Sequence, residues 1–164
     1  MTHITAAFCY QTPFFTLSVT ATEQALTGVT FIAFSQKTAQ TENAITRAAF
    51  TEIMEYLDKK RQAFDIPVLL RGTEFQMRIW RELQKIPYGK TLSYGAVARA
   101  AGGNAKAARA AGRAIHVNPI AIIVPCHRVI GADGSLTGFA GGRAVKKKLL
   151  EIEGAYTYTG DNVL

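Results

Sequence analysis

The sequence predicts a two-part α/β protein, with a small N-terminal α/β domain over residues 1–70 and a mostly helical C-terminal domain over residues 71–164. Three observations predict this fold class. At 164 residues with 48% hydrophobic side chains, the chain can bury a sizeable core. Two β-rich stretches precede a helical pattern in the first part. In the second part, a glycine pair separates two short helical patterns.

The N-terminal domain is predicted to hold two strands and one helix. Its β-rich stretches cover residues 14–19 and 26–35. Apolar residues recur at helical spacing within residues 42–60, and either Thr41 or Asn43 can cap that helix. These elements suffice for a small α/β unit.

The boundary between the two domains is predicted near Leu70. Residues 64–70 are interpreted as an edge strand or a linker, because Pro67 cannot donate a hydrogen bond to a strand ladder. The C-terminal domain then begins with a helix that Thr73 can cap and that the Pro-Tyr-Gly sequence at 87–89 ends.

A helix-turn-helix follows this first C-terminal helix. Residues 93–101 form a short helical pattern, which Gly102 and Gly103 break. Asn104 can cap a second helix that runs to about His116. The pattern is typical of proteins that bind DNA with the second helix.

The rest of the chain contains an unusual motif between a strand-like run and a last helix. The apolar run at residues 120–124 leads into Pro-Cys-His-Arg at 125–128. A glycine-rich loop at 131–142 and a helix at 143–153 follow. From Gly154 onward the pattern predicts an irregular tail.

The positive charge of the chain is concentrated in its second half. The net charge is +7 and the sequence pI is about 9.6. Residues 1–70 carry five Lys and Arg against six Asp and Glu, a net charge of −1, whereas residues 71–164 carry fourteen against six, a net charge of +8. A basic patch of this kind favours an anionic partner such as nucleic acid.

The cysteine content and the N-terminus predict the cellular setting. Two cysteines exclude a dense disulfide framework. We find neither a secretory signal pattern nor an apolar run of the roughly 18 residues that a membrane span needs. We therefore expect a soluble protein in the cytoplasm.

The second helix of the helix-turn-helix combines cations with very small side chains. Lys106, Arg109 and Arg113 fall on one stripe at helical spacing. The residues between them, which include Ala107, Ala110 and Gly112, would allow close approach to a minor groove only about 6 Å wide. An alanine-rich packed helix with a solvated basic face is an equally good interpretation of this stretch alone.

The Pro-Cys-His-Arg motif holds a candidate nucleophile beside a candidate base. A free cysteine is most often a small buried hydrophobe, but a neighbouring base or cation raises its reactive thiolate fraction. His127 can act on Cys126 directly or through a water if a third group orients its ring. Glu151 or Glu153 could supply that group, although a glutamate at a helix end is more often solvent-exposed.

Residues 123–130, Ile-Val-Pro-Cys-His-Arg-Val-Ile, resemble the active-site motif of the O6-alkylguanine-DNA alkyltransferases, also called methylated-DNA–protein-cysteine methyltransferases. Flanking motifs match in order across residues 72–154. They are Phe75-Gln76 with Trp80, Ile86-Pro-Tyr-Gly89, Ser93-Tyr-Gly95, Ala108-Arg-Ala110 with Gly112, Asn118-Pro119 and Gly141-Gly142. The resemblance implies a ribonuclease H-like N-terminal domain and a winged-helix-like C-terminal domain.

The resemblance also implies a reaction and a role for each matching residue. The protein would flip O6-alkylguanine, and also O4-alkylthymine, out of duplex DNA and transfer the alkyl group irreversibly to Cys126 in a single turnover. His127 would be the base, acting through a water, and Glu153 would orient it. Asn118 would hold the active-site turn, and Tyr94 would assist flipping and protonate the leaving guanine.

Other residues would contact the DNA and the flipped base. The resemblance implies minor-groove binding by the second helix, with Arg109 filling the space that the extruded base leaves. The main chain at Val129 and the loop at Phe139 and Ala140 would line the guanine pocket. Many relatives carry tyrosine where this chain has Phe139, so a hydroxyl contact is missing there. No cofactor and no metal are expected, and we predict a monomer.

Three other functions compete with alkyl transfer. A non-catalytic alkyltransferase-like module would bind the lesion and flag it, but such relatives lack the acceptor cysteine. A damage-sensing transcriptional regulator would need an additional cysteine-rich zinc domain. A cysteine hydrolase would need Cys126 and His127 to face each other, whereas neighbours in an extended run would point apart.

Overall fold

The computed structural model describes residues 3–36 and 40–156, so the predicted tail from residue 157 onward lies outside the described residues. The N-terminal part is an antiparallel four-stranded sheet with one helix packed on it. The elements are β1 (Ala6–Gln11), β2 (Thr16–Ala21), β3 (Leu26–Ile32), a 3-10 turn (Phe34–Gln36), β4 (Gln40–Thr41) and α1 (Ala44–Leu57).

The sheet has the strand order β3-β2-β1-β4. Strand β1, which the sequence pattern did not reveal, pairs with β2 from Ala6 opposite Ala21 to Gln11 opposite Thr16. The predicted strand at 14–19 begins later, at Thr16, because Thr12 accepts hydrogen bonds from the amides of Phe14 and Phe15 in a tight turn. Helix α1 packs against strands β1, β2 and β3 of this sheet.

Helix α1 begins where Asn43 caps it. The Asn43 side chain accepts a hydrogen bond from the Thr46 amide, and the Thr46 hydroxyl accepts one from the Asn43 amide. This reciprocal pair selects Asn43 rather than Thr41 as the cap. Residues 64–70 are mostly irregular, and Val68 forms an isolated parallel bridge with Leu26.

The C-terminal part is mainly helical. Its elements are α2 (Glu74–Gln84), β5 (Leu92–Ser93), α3 (Tyr94–Ala100), a 3-10 turn (Ala105–Ala107), α4 (Ala108–His116), a 3-10 turn (Cys126–Arg128), β6 (Val129–Ile130) and α5 (Arg143–Ile152). As predicted, Thr73 caps α2, in a capping box with Gln76. The Trp80 indole donates to the Ala114 carbonyl at 2.9 Å, which fixes α2 against α4.

Helices α3 and α4 form the predicted helix-turn-helix. Gly102 takes a φ of 86° in the turn, a conformation that favours glycine. The predicted Asn104 cap is wrong, because the chain first makes a 3-10 turn in which the Ala107 amide bonds the Asn104 carbonyl. The N-cap residue of α4 is Ala107, and no side chain caps this helix.

The predicted strand-like run at residues 120–124 is instead a buried series of turns. Ile120 forms an isolated bridge with Val29 of β3, and Ile122 has a φ of 71°. Asn118 shapes these turns by donating to the Val124 carbonyl at 2.8 Å and accepting from the Ile120 amide at 3.1 Å. Local side-chain bonds of this kind compete with strand geometry.

One continuous core joins the two parts of the chain. Leu17 and Val29 of the sheet and Ile79 and Val97 of the helices are fully buried in the same cluster. The predicted α/β class, with an N-terminal sheet and a helical C-terminal part, is confirmed. Among the described residues, no helix has the length and apolar character that a membrane span requires.

Candidate active site

Cys126 begins the short 3-10 turn that follows the buried residues 120–124. Its exposed fraction is 6%. The expectation that Cys126 and His127 lie in an extended run is therefore wrong. The Arg128 amide bonds the Pro125 carbonyl at 3.0 Å, and this bond closes the turn.

Asn118 holds this turn from the end of α4. Besides its bonds to Val124 and Ile120, its side chain acts on the Cys126 thiol and opposes a rise in the pKa of that thiol. Asn118 is buried, and it is the partner of the Ile120 amide, whereas the Val124 carbonyl also accepts from the Cys126 amide at 2.8 Å. The predicted place of Asn118 beside the nucleophile agrees with this geometry.

His127 is fully buried and paired with Glu153. Its Nε2 lies 2.7 Å from Glu153 Oε1, whereas its Nδ1 has no hydrogen-bond partner within the described part of the chain. Because a carboxylate only accepts, Nε2 carries the hydrogen in this pair and Nδ1 keeps a free lone pair. The ring is therefore arranged to take up a proton at Nδ1.

Glu153 lies at the C-terminal end of α5 inside a cluster of donors. Arg128 bonds it through Nε to Oε2 and through Nη2 to Oε1, both at 2.9 Å. The Gly89 amide donates to Oε2 at 3.2 Å, and the Tyr56 hydroxyl donates to Oε1 at 2.7 Å. Arg128 and Glu153 thus form a buried ion pair, and Arg128 also donates to the Ile86 carbonyl.

These surroundings set the protonation states of the site. Burial would raise the pKa of Glu153, but the hydrogen bonds from His127, Arg128 and Tyr56 outweigh it and lower that pKa to about 2. Burial lowers the pKa of His127 despite its bond to Glu153, so the ring is neutral at pH 7. Burial raises the pKa of the Cys126 thiol, while the Asn118 bond and the Lys146 charge oppose the rise. The resting site is therefore a thiol next to a neutral base.

Lys146 is a site residue that the sequence analysis did not identify. A lysine on a helix surface is usually solvated, but Lys146 is fully buried. Its ammonium donates to the carbonyls of Val129 and Thr137 and lies 3.5 Å from the Tyr94 hydroxyl. Burial lowers its pKa to about 8, and the negative charge that Cys126 carries when it is deprotonated opposes this shift. The sequence signal was its helical spacing with Leu149, Leu150 and Glu153, all of them buried.

Tyr94 connects the buried site to the surface. Its hydroxyl donates to the Thr137 carbonyl at 3.2 Å. Its ring borders an open groove of about 670 Å³, which Arg109, Gly112, Arg113 and Thr137 also line. Arg109 and Arg113 are exposed on α4, as is Lys106 in the 3-10 turn before it, while Ala107 and Ala110 are partly buried. The groove thus joins the predicted DNA-contacting helix to Tyr94.

Of the predicted pocket residues, Val129 precedes the glycine-rich loop, whereas Phe139 and Ala140 lie within it. Val129 is fully buried, and its carbonyl faces Lys146. Phe139 packs on Phe31 of β3 with ring centroids 5.4 Å apart. Ala140 lines a second cleft, together with Phe31. Contact of these residues with a guanine stays a prediction.

Two family models match the chain. The 6-O-methylguanine DNA methyltransferase ribonuclease-like domain matches residues 8–70, and the DNA binding domain of the same name matches residues 74–155. These matches agree with the predicted ribonuclease-like and DNA-binding parts.

Named relatives and solved structures agree with the family models. The methylated-DNA–protein-cysteine methyltransferase of Mycolicibacterium paratuberculosis is 52% identical over 71% of this chain and 71% of its own length. The protein of the same name from Methanosarcina acetivorans is 50% identical over 66% of this chain and 69% of its own. The crystal structure of Mycobacterium tuberculosis OGT in complex with DNA has a TM-score of 0.81 and 41% identity, covering 90% of this chain and 91% of the other. With this identity and coverage, the chain belongs to the methylated-DNA–protein-cysteine methyltransferase family.

Proposed function

We propose that this protein repairs O6-alkylguanine in DNA by transferring the alkyl group to Cys126 in a single turnover. The observation that carries the proposal is the buried series Cys126, His127 and Glu153. His127 directly follows the nucleophile in the chain, and its Nδ1 has no hydrogen-bond partner among the residues that the structure describes. Family membership agrees with this function.

The residues of the site account for each step of the transfer. His127 Nδ1 takes the thiol proton through a water, and the sulfur lone pair attacks the alkyl carbon. The carbon–oxygen bond breaks with its electron pair on guanine O6, and Tyr94 supplies the proton that guanine gains. Lys146 stabilises both the thiolate and the Tyr94 oxygen that gives up its proton. Return of the His127 proton to Tyr94 through solvent restores both groups.

DNA binding places the lesion within reach of the buried sulfur. A base inside the duplex is inaccessible to Cys126, so the nucleotide must be flipped. We place α4 in the minor groove, with Ala107, Ala110 and Gly112 allowing close approach and Arg109 entering the stack. The cations Lys106 and Arg113 are free to contact phosphates. One chain contains every group that the mechanism uses, so we propose that the protein acts as a monomer.

Intact-mass measurement tests the proposed function. After incubation with duplex DNA that contains O6-methylguanine, the protein is expected to gain one methyl group, on the peptide that contains Cys126. The Cys126→Ser variant should gain none, and Cys9→Ser, which removes the other buried cysteine, should gain it normally. A wild-type protein that binds the lesion but stays unmodified would instead support a non-catalytic flagging module.

Arg109→Ala is expected to slow repair of duplex DNA by about tenfold or more, because the cost of unstacking a base is then not offset by a side chain in the stack. Reaction with the free base O6-benzylguanine should remain within about twofold of wild type, since no flipping is needed. Single-turnover rates on both substrates provide the measurement. Equal losses on the two substrates would contradict the stack-filling role.

A further inference from the structure

Tyr56 brings a hydroxyl group from the N-terminal part of the chain onto the carboxylate of Glu153. It lies on α1 and is fully buried. Its hydroxyl donates to Glu153 Oε1 at 2.7 Å and lies 3.4 Å from His127 Nε2. The same Oε1 accepts from His127 Nε2 at 2.7 Å and from Arg128 Nη2 at 2.9 Å.

We propose that Tyr56 is a positioning residue for alkyl transfer, whose hydroxyl on Glu153 Oε1 limits the pull of that carboxylate on a proton of His127, so that the ring stays neutral with its reactive lone pair on Nδ1. The inference rests on the proposed function and extends it to the N-terminal domain, which thereby contributes to the chemistry.

The distances decide which atom receives the phenol hydrogen. Glu153 Oε1 is both closer to the hydroxyl and negatively charged, so the Tyr56 hydrogen points to it rather than to His127 Nε2. If Nε2 carried no hydrogen, its lone pair would face Oε1 at 2.7 Å, which is repulsive. With the Tyr56 hydrogen on Glu153, Nε2 therefore keeps its own hydrogen, and the same carboxylate oxygen accepts from both groups.

Tyr56 also limits how strongly Glu153 attracts a proton. Its hydroxyl is one of the donors that keep the pKa of Glu153 low. When His127 takes up the thiol proton, the carboxylate stabilises the imidazolium without removing its hydrogen. Without the Tyr56 donor, Glu153 would hold more uncompensated negative charge, and the pKa of His127 would rise.

The packing around Tyr56 makes this contact rigid. Its ring lies 5.5 Å from the Phe64 ring and 6.1 Å edge-on from the Tyr88 ring, centroid to centroid. Phenylalanine can keep both ring contacts, so removal of the hydroxyl alone is a clean test of the hydrogen bond.

The test compares Tyr56→Phe with wild type in the full chain. We expect the acid limb of the pH–rate profile at saturating O6-methylguanine duplex to move to higher pH by roughly one unit, as for loss of one hydrogen bond to a charged group. On that limb the first-order methyl-transfer rate therefore falls roughly tenfold, whereas the DNA concentration for half-maximal rate should not change. Without DNA, the ¹⁵N resonances of the His127 ring should change from the neutral Nε2–H pattern to the imidazolium pattern at a higher pH than in wild type.

Tyr10→Phe is the matched control. Tyr10 is also buried in the N-terminal part and donates to a carboxylate, Glu42 Oε1, at 2.6 Å. This variant should keep the wild-type rate, pH profile and His127 resonances. If the His127 resonances of Tyr56→Phe change at the same pH as in wild type, the inference is overturned, as it is by an equal shift of the acid limb in both variants. Failure of wild type to transfer methyl would refute the proposed function instead, and the resonances would still test the effect of Tyr56 on His127.

Discussion

Replacing His127 with glutamine is expected to slow methyl transfer by about 10²–10⁴-fold, the usual contribution of a positioned general base. Glutamine can still donate to Glu153, so the buried pair keeps its hydrogen bond while the proton acceptor at Nδ1 is lost. The measurement is the single-turnover rate at saturating lesion DNA. Thermal unfolding of the same sample shows whether the variant is folded.

The pH dependence of the wild-type rate gives an independent check of this role. A free histidine titrates near pH 6.5, and burial lowers the pKa of His127 below that value. The base therefore remains deprotonated as the pH falls from 7.5 to 6.5, and the rate should decline only at lower pH. His3→Gln, at an exposed position, is the control and should match wild type. A His127→Gln rate within threefold of wild type would contradict the assignment of His127 as the base.

Replacing Arg128 with methionine is expected to lower the free energy of unfolding by about 3–5 kcal/mol, because a buried carboxylate then loses its countercharge. Methionine keeps much of the aliphatic volume, so the loss reports the ion pair rather than a cavity. Glu153 is 6% exposed and cannot recover the missing interaction from water. Urea unfolding at pH 7 measures the change.

Two further variants separate the buried pair from ordinary surface charge. Lys85→Met breaks the salt bridge between Lys85 and Glu82. Because the Lys85 side chain is 69% exposed, this change should lower the free energy of unfolding by less than about 1 kcal/mol. Arg128→Met combined with Glu153→Gln should recover part of the lost stability, because the uncompensated charge is gone. A cost below about 1 kcal/mol for Arg128→Met would show that the pair does not stabilise the fold.

The sequence predicted the helices best where a cap and an apolar stripe coincide. Helix α2 begins one residue after Thr73, because Thr73 and Gln76 satisfy each other's backbone amides. Strand β1 escaped prediction, since Ala-Ala-Phe-Cys-Tyr-Gln shows neither β-branched residues nor clear alternation. Its pairing between β2 and β4 makes it a strand, and that pairing is a tertiary property.

The candidate site was predicted residue by residue near the Pro-Cys-His-Arg motif but not at its distant contacts. Tyr56 and Glu153 are 97 positions apart, so no local pattern indicates that they touch. The apolar pattern within residues 42–60 includes Ala44 and Ala48, which are exposed on α1, whereas Ala49, Ile53 and Tyr56 are buried. The burial of Lys146 was not predicted either, because a charged side chain favours a solvated position even where its spacing places it on the buried stripe of α5.

The long separation between Tyr56 and Glu153 also determines when the site matures during synthesis. The ribosome releases Tyr56, His127 and Arg128 before Glu153, so an unfinished chain holds the thiol without the group that orients its base. Burial of Arg128 requires the countercharge of Glu153, which is present only when α5 is complete. A nascent chain therefore carries an ordinary cysteine, and the reactive one arises only once the last helix has docked.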